Sequence, residues 1–287
     1  MSFLRRRDSE RLLKATGPIG FFDSGVGGLS VLREVYHQLP YEDTLYFADS
    51  IHCPYGYRTE EEIRGYVEQA VAWLIGQGSK IIVVACNTAS AASLSYLRAV
   101  FDLPIVGMEP ALKPAVECSQ AHKVGVIATE ITLKGQLFAG LLERFAQGTE
   151  VYAQACPHLA PLVEAGKLEG PETEEVLRGY LEPMLAAGID ALVLGCTHYP
   201  FLRPAIEQVV GPGVRIIDPS PAVAGQTGRV LTRQGLHTPL RRSGRHIFYT
   251  TGDSLAYEQM VRRLIGGQPQ VCPAHWERGE VVAPPAE

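Results

Sequence analysis

Eight short apolar runs alternate with helical patterns along this chain, and the residues that leave those runs recur at a nearly fixed interval. Apolar runs at 19–22, 44–48, 81–85 and 104–107 are followed by a second set at 124–128, 151–155, 191–194 and 214–217. Strands alternating with helix-length segments predict parallel α/β architecture. Pairing the exits Asp23 with Thr129, Asp49 with Cys156, Cys86 with Cys196, and Glu109 with Asp218 gives intervals of 106, 107, 110 and 109 residues. A spacing that steady predicts two copies of one unit. Residues 59–66 (TEEEIRGY) and 173–180 (TEEVLRGY) share six of eight positions, and each octet opens a helical pattern that precedes a cysteine-bearing strand. Thr59 with Glu62 reads as a capping box.

The expected fold is therefore two pseudo-symmetric α/β domains, each a mostly parallel sheet flanked by helices, with the site in the cleft between them. Residues 17–110 plus 222–287 make up the first, and 111–221 the second. Residues 1–16 and the stretch after about 277 read as loose ends, because they carry little apolar periodicity. Ligands bind beyond the carboxyl ends of parallel strands. That puts Asp23, Asp49, Cys86 and Glu109 on one rim, and Thr129, Cys156, Cys196 and Asp218 on the other.

Cys86 and Cys196 carry the chemistry. Residues 80–90 read KIIVVACNTAS and 190–200 read DALVLGCTHYP, so each thiol ends an apolar strand and opens a helix-like segment. Helix N-termini favour a thiolate. A thiol on each wall of a cleft is what a reaction needs when opposite faces of one carbon are served. Such a pair, one charged and one neutral, gives a bell-shaped pH profile. The glycine-rich turn after the first run (Asp23, Ser24, then GVGG) lacks dinucleotide spacing. It reads instead as backbone N–H groups approaching an anion, with Ser24 assisting and Asp23 near Cys86. The turn at 54–56 (PYG) offers N–H contacts on the same rim, while Cys53 before it reads as incidental and Cys156 as structural. Glu164, in the segment CPHLAPLVEAG, is an acid on the second rim.

Several classes fall away. A formal charge of −5 gives no basic field for nucleic acid. Arg5, Arg6 and Arg7 are followed by Asp8, Glu10 and Arg11 rather than a secretory apolar stretch, and no apolar run approaches membrane-spanning length. A cytoplasmic protein is expected. Six cysteines without a C-x-x-C pair do not read as a disulfide framework. A zinc site from Cys196, His198 and Cys86 is the rival use of the thiols, but the paired close spacing of zinc ligands is missing around Cys86; no metal is expected.

Together, FDSGVGG (22–28), PYG (54–56), ACNTA (85–89) and GCTHYP (195–200) resemble the motifs of the glutamate racemases, within the aspartate/glutamate racemase superfamily. The resemblance runs from about Gly17 to Pro221 and more weakly to about 265. It implies an isomerase that interconverts L- and D-glutamate with no cofactor and supplies peptidoglycan synthesis, hence cell-wall biogenesis and cell shape. It implies Cys86 and Cys196 as the catalytic acid/base pair, assisted by Asp23 and His198, with Glu164 a helper on the Cys196 side. Substrate contacts are implied for Asp23, Ser24, Tyr55, Gly56, Asn87, Thr88, Thr197 and His198. Family members often dimerise, so a homodimer is left open. Aspartate-specific relatives tend to carry Glu after the second Cys-Thr, so His198 favours glutamate. An aspartate racemase and a non-catalytic amino-acid-binding protein are the alternatives.

Overall fold

The computed structural model describes residues 15–285. Two parallel sheets carry the chain. The first has six strands in the order β10-β9-β2-β1-β3-β4, and the second has four in the order β6-β5-β7-β8. The strands are β1 (Ile19–Asp23), β2 (Thr44–Ala48), β3 (Ile81–Val84), β4 (Ile105–Gly107), β5 (Lys123–Ala128), β6 (Glu150–Ala155), β7 (Ala191–Gly195), β8 (Arg215–Ile217), β9 (His246–Thr250) and β10 (Gln270–Pro273). The order 2-1-3-4 in one sheet is repeated as 6-5-7-8 in the other, so the interval in the sequence marks a true structural repeat. β1 to β3 are buried along their whole length, as expected of strands covered by helices on both faces.

The ladders correct one of the pairings. Asp49 N donates to Asp23 O (3.0 Å), and Cys156 N donates to Ala128 O (2.9 Å). Asp23 therefore corresponds to Ala128, one residue before the Thr129 that the interval arithmetic selects. Neighbouring strand residues point to opposite faces, so the second copy carries no acid where the first carries Asp23. The cysteines do correspond: Phe22 pairs with Val84 and Ile127 with Leu194, and each cysteine lies two residues further on.

The matching octets also differ. Thr59 caps the helix Glu60–Gly76 through a reciprocal capping box with Glu62. Thr173 instead lies inside the helix Pro171–Ala186, which starts two residues earlier, and its hydroxyl donates to Lys167 O (3.1 Å). Pro171 supplies that earlier start, since its fixed φ suits a first helical position.

Segment 270–284 returns to the first sheet. Beyond β10, β11 (His275–Glu277) pairs antiparallel with β12 (Glu280–Val282), so the stretch after 277 is held rather than loose. Trp276 Nε1 donates to Asp49 Oδ1 (2.7 Å), and Tyr249 OH donates to Pro284 O (3.0 Å). At the other end, Ala15 is buried and its carbonyl accepts from Lys80 Nζ (2.7 Å); residues 1–14 of the expected N-terminal arm lie outside the described residues. One apolar cluster runs unbroken between the lobes, joining Val26, Leu29 and Leu32 of the first to Leu159, Tyr199 and Phe201 of the second. Within the described residues, no helix is long and apolar enough to cross a membrane.

Candidate active site

Both cysteines sit in the seam between the lobes, each about 5% exposed. Cys86 caps the helix Asn87–Val100, and its sulfur accepts from Ala89 N (3.4 Å) and lies 3.8 Å from Ser24 Oγ. The expected lowering of its pKa is reversed. Burial, then the negative charge of Asp23, push the Cys86 thiol up to about 12, and the Ala89 N–H offsets only part of this. A negative charge on Cys196 pushes in the same direction, which places the two sulfurs within electrostatic reach of each other.

Cys196 is built differently. No α-helix starts beside it; a tight 3-10 turn at Tyr199–Leu202 intervenes before the helix Arg203–Val210. Its sulfur lies 3.6 Å from His198 Nδ1, so an imidazole takes the place that a backbone N–H holds at Cys86. His198 Nε2 lies 2.7 Å from Glu164 Oε1. Burial alone would discharge His198, but hydrogen bonds with Cys196, Cys53 and Glu164 hold its pKa well above the ordinary imidazole value. Burial works against the Glu164 charge too, yet His198 keeps that carboxyl below its usual range.

Asp23 is fully buried. Its Oδ1 accepts from Gly25 N (2.8 Å), and its Oδ2 accepts from Thr197 Oγ1 of the opposite lobe (3.2 Å). Desolvation raises its pKa to about 6, against the opposing pull of the His198 charge. The glycine-rich turn does approach an anion, and that anion is a side chain: Val26 N donates to Glu164 Oε1 (2.9 Å). A Cβ at Gly25 would overlap Glu164 Oε1, and one at Gly27 would lie 2.5 Å from both His198 Nδ1 and Thr197 Oγ1. The glycines are thus needed for one lobe to close on the other.

Of the other residues singled out in the sequence, Thr88 Oγ1 lies 2.9 Å from Thr129 Oγ1 across the seam. Asn87 is buried, yet neither of its amide atoms has a hydrogen-bond partner among the described residues. Buried amides left unpaired are costly. Tyr55 points inward, its hydroxyl donating to Asp49 Oδ2 (2.6 Å). Gly56 faces Thr129, and Tyr57 OH reaches over to Pro157 O (3.1 Å). Around this contact a cavity of about 190 Å³ is lined by Pro54, Gly56, Tyr57, Thr129 and Cys156.

Glu109 is not part of this group. It is exposed and lines a separate cavity of about 790 Å³ with Lys113, Arg144 and Arg229. Asp49, expected on the first rim, does belong, as do Ser30, which sequence reasoning missed, and Cys53, which it set aside. Asp49 holds Tyr55, His52, Thr251 and Trp276 together. Ser30 Oγ donates to Thr197 O (3.0 Å). Cys53 Sγ lies 3.4 Å from Glu164 Oε1. For Asp49 a signal existed, its place at a strand exit; for Ser30 and Cys53 there was none.

Residues 24–227 match the family model described as Asp/Glu/Hydantoin racemase. The chain belongs to that racemase family. A relative named glutamate racemase, from Roseiflexus sp., is 47% identical over 249 residues, covering 86% of this chain and 92% of its own length. The solved glutamate racemase of Bacillus anthracis superposes with a TM-score of 0.83 at 33% identity, covering 92% of this chain and 98% of that one. A Francisella tularensis glutamate racemase, solved in complex with D-glutamate, gives 0.80 at 29% identity over 92% of this chain and 98% of that one. This racemase-family chain thus shares its two-lobed architecture with enzymes over nearly their whole length.

Proposed function

We propose that this chain interconverts L- and D-glutamate by passing the Cα proton between Cys86 and Cys196, without a cofactor. The observation that carries the reading is the pair of thiols at matched strand ends in the seam, flanked by an Asn87 amide with nothing to bind. The relatives' names give the substrate, and the glutamate in the Francisella tularensis complex fits the same choice.

One sulfur, as thiolate, takes the proton from one face of Cα; the other, as thiol, donates one to the opposite face. The roles exchange for the other enantiomer. The two walls are built differently. Burial and the Asp23 charge favour the thiol form of Cys86 before substrate enters, while a His198 ring nitrogen stands 3.6 Å from the Cys196 sulfur. Glu164 acts through His198 by keeping it charged, which makes it a positioning residue. Asp23 orients Thr197 and the glycine turn, and it shares proton traffic with Cys86. Ser24, Asn87, Thr88 and Thr197, with the N–H groups of residues 55 and 56, supply neutral donors for the substrate's carboxylates. Such donors, fixed in advance in a site of low dielectric, stabilise the carbanion-like transition state.

The reading also carries a cytoplasmic location, D-glutamate supply to peptidoglycan, a homodimer, and lobe boundaries at 17–110 with 222–285 and at 111–221. It is tested by following optical rotation of L-glutamate with enzyme alone. Decay to zero is expected, with solvent deuterium entering Cα. Cys86→Ser and Cys196→Ser should each lose about a hundredfold or more in turnover. Persistent rotation, product free of deuterium, or a near wild-type cysteine variant would each remove the mechanism. L-aspartate in the same assay tests the substrate choice.

A further inference from the structure

Cys53 takes no part in the proton transfer, yet its sulfur closes a triangle with two residues that do. Cys53 Sγ lies 3.4 Å from Glu164 Oε1, that oxygen lies 2.7 Å from His198 Nε2, and the donor atoms all fall within 4.8 Å of one another. They come from three separate pieces of chain: the residue before the turn at 54–57, the last residue of the helix Leu159–Glu164, and the strap after β7. We propose that Cys53, Glu164 and His198 form a site for a soft divalent cation of the zinc class, and that filling it silences the enzyme.

The donor set is the first argument. A thiolate sulfur, an imidazole nitrogen and a carboxylate oxygen are the mixture zinc accepts, and three protein ligands leave a fourth position for water. The spacing is the second. Zinc at its usual bond lengths holds tetrahedral donors about 3.4–3.6 Å apart. The sulfur–oxygen edge already has that length, and the nitrogen–oxygen edge needs to open by less than about 1 Å. Glu164 can give this, because its side chain keeps about a quarter of its surface open while His198 is enclosed. Outer contacts fix the ligands as well: Val26 N donates to the Glu164 oxygen, and His198 Nδ1 faces Cys196.

Charge is the third argument. The triangle holds two protons, one on the Cys53 sulfur and one on His198 Nε2, both directed at a single carboxylate oxygen. A doubly charged ion takes their place and releases both, so the net charge of the cluster is unchanged. The bonds formed are metal to sulfur, nitrogen and oxygen; the bonds broken are S–H and N–H. A metal-bound His198 can no longer offer Cys196 an imidazolium, and this inhibitory consequence rests on the proposed racemisation. The site differs from the one suggested by the sequence, which drew on Cys86 and Cys196.

The test uses the full chain, stripped with a chelator and titrated with cobalt(II), which takes zinc sites and reports its ligands by colour. Expected are one equivalent bound, visible bands of tetrahedral cobalt, a near-ultraviolet thiolate-to-metal band, and displacement by zinc. Zinc should also stop racemisation, and a chelator should restore it. Cys53→Ser should lose the thiolate band and, measured against its own zinc-free rate, need about tenfold more zinc or beyond for equal inhibition. Cys53→Ala should behave alike, with the far-ultraviolet spectrum confirming its fold. No thiolate band at one equivalent, a band that survives in both variants, or unchanged zinc sensitivity would overturn the site. Because the cobalt spectrum does not depend on turnover, failure of racemisation and failure of the metal site read out separately.

Discussion

Asp23 carries an unusual burden for one side chain. Its carboxyl is enclosed and has a pKa of about 6, against 3.8 for the free group. The folded chain therefore holds a proton that the unfolded chain has already released between about pH 4 and 6. Stability from this residue is full below the unfolded value and is lost as pH rises through the folded one. Near neutrality the loss is about 3 kcal/mol, because each tenfold difference in proton affinity between the folded and unfolded chains is worth about 1.4 kcal/mol. Asp23→Asn should remove that slope, unfolding later in denaturant at pH 7 than the wild type while racemising more slowly. Equal pH slopes in the two proteins would refute this. Glu164→Gln should behave in another way. It keeps the shape of the contact with His198 but drops the charge, so kcat should fall about tenfold or more, with KM and the unfolding midpoint little changed. A matching loss in KM would instead mean that Glu164 binds substrate directly.

Among the elements, the glycines separate into two kinds. Gly27 sits where any side chain would strike His198 and Thr197; Gly27→Ala should hold the lobes apart, costing about 1–3 kcal/mol and most of the activity. Gly65 and Gly179, the matching glycines of the two octets, are exposed in helices with nothing near the missing Cβ. Gly65→Ala and Gly179→Ala should each stabilise by about 0.5–1 kcal/mol in denaturant titration, with turnover unchanged. The eight strands of the repeat, and the placement of both cysteines at strand ends, were legible in the sequence because periodicity and strand exits are local signals. The partner of the glycine turn was not, since Val26 and Glu164 stand 138 residues apart and only packing joins them. Nor was the one-residue slip at Asp23, because interval arithmetic cannot see which face of a strand a residue occupies. The difference between the two cysteines was hidden for a related reason. His-Tyr-Pro reads as a helix start, and the structure makes it a 3-10 turn that brings an imidazole to the sulfur.

At the scale of the molecule, the site depends on segments far from the cleft. Asp49 accepts from Trp276 on the hairpin of β11 and β12, and from Tyr55 of the turn facing the second lobe. Trp276→Phe takes away one donor from that buried carboxylate. It should cost about 1–3 kcal/mol and raise KM, as read from unfolding and steady-state kinetics; an unchanged KM would show that the turn stands without this brace. The sequence could not reveal the link, because residues 277–287 carry adjacent prolines and little apolar rhythm, and the hairpin is held by the Trp276 hydrogen bond, by Trp276 packing on His52 and Tyr66, and by Val281 against the core, contacts that leave no periodic face.

The placement of β9 has a consequence for how the protein comes into being. β2 is sandwiched between β1 and β9, yet Thr44 and its neighbour His246 are 202 residues apart, and every strand of the smaller sheet is translated in the interim. On the ribosome that smaller sheet can mature while β2 still shows a row of unclaimed backbone donors and acceptors. Each nascent molecule passes through a stage with an open, greasy margin, where chaperones and sibling chains compete for it.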